Sequence, residues 1–185
     1  LPNTGVPVEL RNYSEFQKFM RTLISAQSIE SIREIWWDIR PHPGYGTVEI
    51  RICDTIPNLK HISDLAALCQ ALVVGMSNHY DRGTQLSFLD SWIIYENKWR
   101  ATRYGLDAQL ITDEHGTQEK IKDLINITIN KLSPEIEELN IGENMDNILG
   151  RLNNNHSYYK EQISLYEETC DFTELIKKNI EDLKK

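Results

Sequence analysis

Between Ile35 and Asp54 the chain reads IWWDIRPHPGYGTVEIRICD, two runs rich in Ile, Val, Trp and Thr around a Pro- and Gly-dense segment, His42 to Gly46. That order is the signature of two adjacent strands with a short connection, so a β-hairpin is predicted. Alternation along a strand puts Ile35, Trp37 and Ile39 on one face and Trp36, Asp38 and Arg40 on the other. In the second run Val48, Ile50 and Ile52 form an apolar side, opposite Thr47, Glu49, Arg51 and Cys53. A register that aligns the apolar sides gathers Asp38, Arg40, Glu49 and Arg51 on one surface of the sheet. Two readings of that surface are open. Cross-strand ion pairs on a solvated sheet face give the same pattern. So does a phosphoryl-transfer surface, where a carboxylate holds Mg²⁺ against phosphate oxygens and an arginine neutralises charge developing on the transferred group.

The rest of the composition narrows the class. The chain has 185 residues, 40% hydrophobic and 26% charged, enough for one domain with a proper core. A formal charge of -8 disfavours a nucleic-acid binder, and anionic substrates must then be met by particular arginines. The longest apolar stretch, near Leu65 to Met76, is interrupted by Cys69, Gln70 and Gly75, so no membrane-spanning segment is expected. Cys53, Cys69 and Cys170 are odd in number and lack CxxC spacing, which indicates neither a disulfide framework nor a zinc site and suits a reducing cytoplasm. Leu1 to Gly5 matches a surface-anchoring signal but lacks the apolar segment and basic tail that such a signal needs. Three Asn-x-Ser/Thr tripeptides are chance matches in a chain read as cytoplasmic.

Around the hairpin the pattern is helical. Ser14 is placed to cap a helix to about residue 27, with Phe16, Phe19, Met20, Leu23 and Ile24 as its apolar stripe and packing as its role. Pro57 to Ser63 forms a turn before a largely buried helix, Asp64 to Tyr80, suited to backing the apolar face of a sheet. The next helix, Ser87 to Tyr104, carries Asn97, Arg100 and Arg103 near one flank, where the guanidiniums project together. Leu106 to Ile111 reads as a short strand with Asp113 to Gly116 as its turn. From Gln118 on the chain is helical, with breaks at Ser133-Pro134, Gly142, Gly150 and Asn153 to Asn155, and final helices over about 158–169 and 172–183. The whole is read as one α+β domain, a sheet-and-helix part over 1–117 and a helical part over 118–185. His61, His79 and His115 are assigned structural or solvated roles; His42, beside the charged face, is the least settled of the histidines.

WWDIRP with GTVEIRICD, ENKWRATRYGL at Glu96 to Leu106, and LPNTGVP at the start resemble, in that order, the C-terminal half of the type 2 glutamate-cysteine ligases, the carboxylate-amine ligases. The resemblance implies a glutamine synthetase-like catalytic fold: a curved antiparallel sheet whose concave face binds ATP, metal and amino acid, with helices behind. It implies phosphorylation of the glutamate γ-carboxylate by ATP and attack of the cysteine amine on the acyl phosphate, a step of glutathione biosynthesis. On this chain Glu49 matches the Mg²⁺-coordinating glutamate of the family's E-x-R pair and Arg51 the residue at the transferred phosphoryl group. Arg40 would bind substrate carboxylate or phosphate, with Asp38 orienting it or assisting at the metal. Arg103, with Arg100 and Asn97, becomes a candidate substrate or nucleotide contact. The family's N-terminal half, with a glutamate-rich strand bearing further metal ligands, has no counterpart before Leu1. The chain is therefore expected to be a fragment, inactive alone, with a sheet edge or apolar face left open to self-association. A noncatalytic module of the same fold and a ligase for another carboxylate-amine pair are the alternatives.

Overall fold

The computed structural model describes residues 3–84 and 88–184, and its contacts group the chain into two compact units. The first comprises Leu1–Asp54 with Asp90–Tyr95, the second Thr55–Leu89 with Glu96–Lys185. The change of character expected near residue 118 falls inside the second unit. The class is α+β, with three two-stranded sheets and a majority of helix.

The first unit is built on a strand that changes partners. β1 (Thr4–Gly5) runs parallel to β2 (Trp36–Trp37), whereas β3 (Ile39–His42) pairs antiparallel with β4 (Thr47–Ile50). The hinge is Asp38: its N–H donates to the Gly5 carbonyl and its own carbonyl accepts from the Arg51 N–H, each at 2.7 Å. This corrects the expectation of one alternating strand. Ile35 and Trp37 are buried, but Ile39 beyond the bend is 44% exposed. The loop between β3 and β4 closes with a bond from the Tyr45 N–H to the His42 carbonyl, and Gly46 follows at φ +62°, a left-handed position that glycine takes without steric cost.

Helix α1 (Tyr13–Ser25) lies over β2. Its cap is Asn12, whose side chain accepts from the Glu15 N–H, and not Ser14, which sits one residue inside the first turn. Phe16, Ile29, Ile35 and Trp37 form the core, with Phe19 tilted against Trp37 at 5.1 Å between ring centres. A 3₁₀ turn over Ile32–Glu34, closed by a capping box between Ser31 and Glu34, delivers the chain into β2.

The second unit is a helical assembly. Helix α2 (Leu59–Asp81), capped by Asn58, starts earlier than expected and is one-sided: Asp64, Ala67, Ala71 and Gly75 are buried, while Ile62, Val73 and Met76 are exposed. With 23 residues it is, among the described residues, the one helix long and apolar enough by length and composition to cross a membrane, which the sequence reading did not expect. In the first unit the hairpin's apolar side is open, with Val48 and Ile52 each 54% exposed. The small-residue stripe of α2 packs within its own unit, on α4 (Ile121–Lys131), α5 (Ser133–Glu138) and α6 (Gly142–Asn153), with Ala67, Ile129 and Met145 at the centre. A Cβ on Gly75 would stand 2.8 Å from Leu132 Cδ2, so a larger residue there would push that side chain aside.

Helix α3 (Ser91–Tyr104) gives its first turn to the first unit and the remainder to the second; the expected start, Ser87, lies outside the described residues. Strand β5 (Gln109–Ile111) was foreseen, but its antiparallel partner β6 (Gln118–Lys120) was not. Gly150 lies inside α6 and breaks nothing, whereas α7 (Tyr158–Thr169) and α8 (Phe172–Leu183) occupy the expected spans.

One buried ion pair locks this unit. Asp64, wholly inaccessible to water, accepts from Arg151 at 2.7 Å, Asn144 at 2.9 Å and Asn147 at 3.2 Å. Burial alone would push its carboxyl up, but the bonds from Arg151 and the two asparagines outweigh it and hold the group below the usual carboxylate range. Beside it His61 Nδ1 meets the Tyr158 hydroxyl. The Asp64→Asn variant should lose about 3 kcal/mol of stability at neutral pH. Since Asp64 binds its proton less readily folded than unfolded, the wild type keeps this contribution above pH ~4 and loses it as pH falls through the lower folded value, while the variant's urea midpoint should depend less on pH there.

Candidate active site

The hairpin register places the charged residues on one face. Arg40 stands directly opposite Glu49, and the Asp38–Arg51 backbone bond continues the same pairing, so Asp38, Arg40, Glu49 and Arg51 share a side of the sheet as their spacing predicts. Their side chains form a chain of ion pairs centred on Glu49. Arg40 donates to Oε2 through Nη2 at 2.6 Å and Nε at 3.1 Å, and Arg51 donates to Oε1 through Nη1 at 3.0 Å. These bonds, Arg40's first and then the charges of both guanidiniums, hold the Glu49 carboxyl below its usual range, so it is an anion throughout the neutral region.

The two arginines are not equivalent. Arg40 is only 8% exposed, and its remaining amine, Nη1, donates to the carbonyls of Arg33 at 3.0 Å, Ile35 at 3.1 Å and Ile32 at 3.4 Å. It thereby ties the hairpin to the end of the 3₁₀ turn, and all three of its nitrogens are engaged. Arg51 instead spends one amine on Glu49 and lies over the exposed Trp36 ring, 5.2 Å from its centre. It is the cation of the pair that a ligand can reach. Sequence alternation supplied the shared face; the clamp of carbonyls on Arg40 and the Trp36 platform under Arg51 depend on the bend at Asp38 and carried no local signal.

Asn97, Arg100 and Arg103 belong to the second unit and do not act as one cluster. Asn97 brackets Ile111, donating to its carbonyl at 2.8 Å and accepting from its N–H at 2.7 Å, the pattern of a backbone brace for β5. Arg100 reaches Glu96 at 2.9 Å, the Gln118 side chain at 2.8 Å and the Gln109 carbonyl at 3.3 Å. It lines a groove of about 360 Å³ with Trp99, Tyr104 and Asp107. Arg103 is exposed and rests over the Tyr104 ring at 5.8 Å. Of the three, Arg103 has the freest charge.

Among the described residues no group of three His, Cys, Asp or Glu side chains is arranged to hold a metal ion. Glu49 and Asp38 are the carboxylates on the shared face.

A hairpin face that combines an anionic carboxylate, a locked arginine and a more accessible one offers charge complementary to carboxylates or phosphates. The chain belongs to glutamate-cysteine ligase family 2, whose model matches residues 1–154. It is 40% identical over 183 residues to proteins of Frankia alni and Frankia casuarinae named "Putative glutamate--cysteine ligase 2-1", covering 99% of this chain and 48% of each relative. A Thermobifida fusca protein named "Putative glutamate--cysteine ligase 2" is 43% identical over 162 residues, 88% of this chain and 41% of that protein. The chain thus spans about half the length of the curated relatives it matches.

The inequality of the arginines has a measurable form. Arg40→Met strands three carbonyls and should cost about 2–4 kcal/mol in urea unfolding. Arg51→Gln, removing a pair half in water, should cost no more than about 1 kcal/mol.

Proposed function

We propose that the chain is the part of an ATP-dependent carboxylate-amine ligase that carries the phosphoryl-contacting strand pair, with γ-glutamylcysteine formation from glutamate and cysteine as its reaction. The observation that supports this reading is the Arg40–Glu49–Arg51 arrangement on one hairpin face, in a chain that belongs to glutamate-cysteine ligase family 2. Activation of a carboxylate by ATP builds negative charge on the transferred group, and Arg51 is the cation positioned to neutralise it. Arg40, wholly engaged, keeps Glu49 in place and anionic. Magnesium is commonly held by one or two carboxylates together with substrate phosphates and water, a donor number that Glu49 and Asp38 match. When bound it supplies charge neutralisation on the phosphates. In this reading Arg103 and the groove at Arg100 contact substrate or nucleotide, the fold is that of the glutamine synthetase catalytic domain, and the protein is cytoplasmic. The 185-residue chain alone is inactive and self-associates through the hairpin's exposed apolar side.

A second reading, a noncatalytic binding module, is favoured by the fact that both Glu49 oxygens already accept from arginines. ADP release separates the two. The longest natural form of the protein, given Mg-ATP and glutamate, should release ADP only with an amine such as cysteine. Glu49→Gln and Arg51→Gln should each lower turnover by about 10²-fold or more. Absence of ADP with every amine tried, together with calorimetric binding of Mg-ATP, would select the noncatalytic reading.

A further inference from the structure

The charged face continues into a cleft with no assigned role. His42 lies two residues beyond Arg40 on β3 and so projects on the same side, about 7 Å further along the strand. Its ring lines a cleft of about 470 Å³ between α1 and the hairpin loop, within the range of about 300–1,000 Å³ typical of small-molecule sites. One wall is apolar, made by Phe16, Met20, Ile24 and Ile32. Two ions of opposite sign, Arg21 and Glu30, also line it, and neither has an ion-pair partner among the described residues. His42 Nδ1 is sealed from water without a hydrogen-bond partner among the described residues, so in the neutral ring the proton is better placed on Nε2.

We propose that this cleft binds a free α-amino acid whose side chain is apolar and larger than that of cysteine. Its ammonium goes to Glu30, its carboxylate to Arg21 and the His42 Nε2–H, and its side chain to the wall of Phe16, Met20 and Ile24. A zwitterion with an apolar body satisfies all three surfaces at once; a nucleoside has no charge for either ion, and cysteine leaves the apolar wall wet. As a binding site the inference stands on the cleft alone. It is a site apart from the ligase reaction and leaves the cysteine of that reading unchanged.

The test is calorimetric titration of the 185-residue protein with L-phenylalanine, L-leucine, L-cysteine, phenethylamine and adenosine, without ATP, with the His42 ring followed by NMR. Saturable binding of phenylalanine or leucine that shifts the His42 signals is expected, at least about tenfold tighter than cysteine or phenethylamine. Ile24→Trp, at a half-exposed site, should fill the cleft and abolish binding without changing the circular dichroism. Arg21→Gln and Glu30→Gln should each weaken binding about tenfold. Absence of amino-acid binding, equal binding of phenethylamine, preference for adenosine, or unchanged affinity in Ile24→Trp would each overturn the proposal. Because ATP is left out, failure here is separate from failure to release ADP, which bears on the ligase reading.

Discussion

The buried guanidinium of Arg40 is the interaction on which the hairpin end of this protein depends. A charge removed from water must be met by an opposite charge and by hydrogen bonds on its remaining edges. Here Glu49 across the sheet supplies the first, and three carbonyls from the turn before β2 supply the second. The 3₁₀ turn, the bend at Asp38 and the register of β3 on β4 therefore have to be correct together. Glu49 in turn fixes Arg51 beside it, so the charge pattern of the face is inherited from a structural bond.

That dependence divides labour between residues of the same type. Arg40 has all three guanidinium nitrogens engaged and works as an anchor, whereas Arg51 bonds through one nitrogen and has an aromatic support. In the second unit the same division recurs. Arg100 is consumed by Glu96, Gln118 and the Gln109 carbonyl, while Arg103 stands over Tyr104 with its charge accessible. Substrate contacts in a family member are more naturally sought at the second arginine of each pair than at the first. Magnesium, ATP and the amine partner are proposals that this division makes concrete enough to test.

The hairpin, its register and the gathering of Asp38, Arg40, Glu49 and Arg51 were legible because period-two alternation and a Pro/Gly loop are local signals. The α7 and α8 spans were legible for a similar reason, being helical runs bounded by the Asn tract and by Cys170-Asp171, where Asp171 caps α8. The burial of Ile39 was misjudged because alternation assumes one continuous strand, and the change of partner at Asp38 is set by a hydrogen bond to Gly5 more than thirty residues away. Strand β6 was missed because Gln118 to Lys120 has no apolar alternation; its pairing with β5 supplies what its side chains do not announce. Asn97 became a candidate ligand contact through the family resemblance, yet its amide is matched to both backbone groups of Ile111, a partner that no helical periodicity can reveal.

The bend at Asp38 also sets the evolutionary freedom of the segment. Residues 35–37 answer to the volume of the core around Phe16 and Phe19, where a methyl group too many or too few is felt. Residues from Ile39 to Arg51 answer instead to charge balance and to a loop that needs Gly46. The two halves are registered against different strands, β1 and β4, and Arg40 joins them through backbone carbonyls, so side chains can drift in one half without compensation in the other as long as that arginine is kept. A family built on this hairpin can thus revise what its charged face recognises while its core stays as it is.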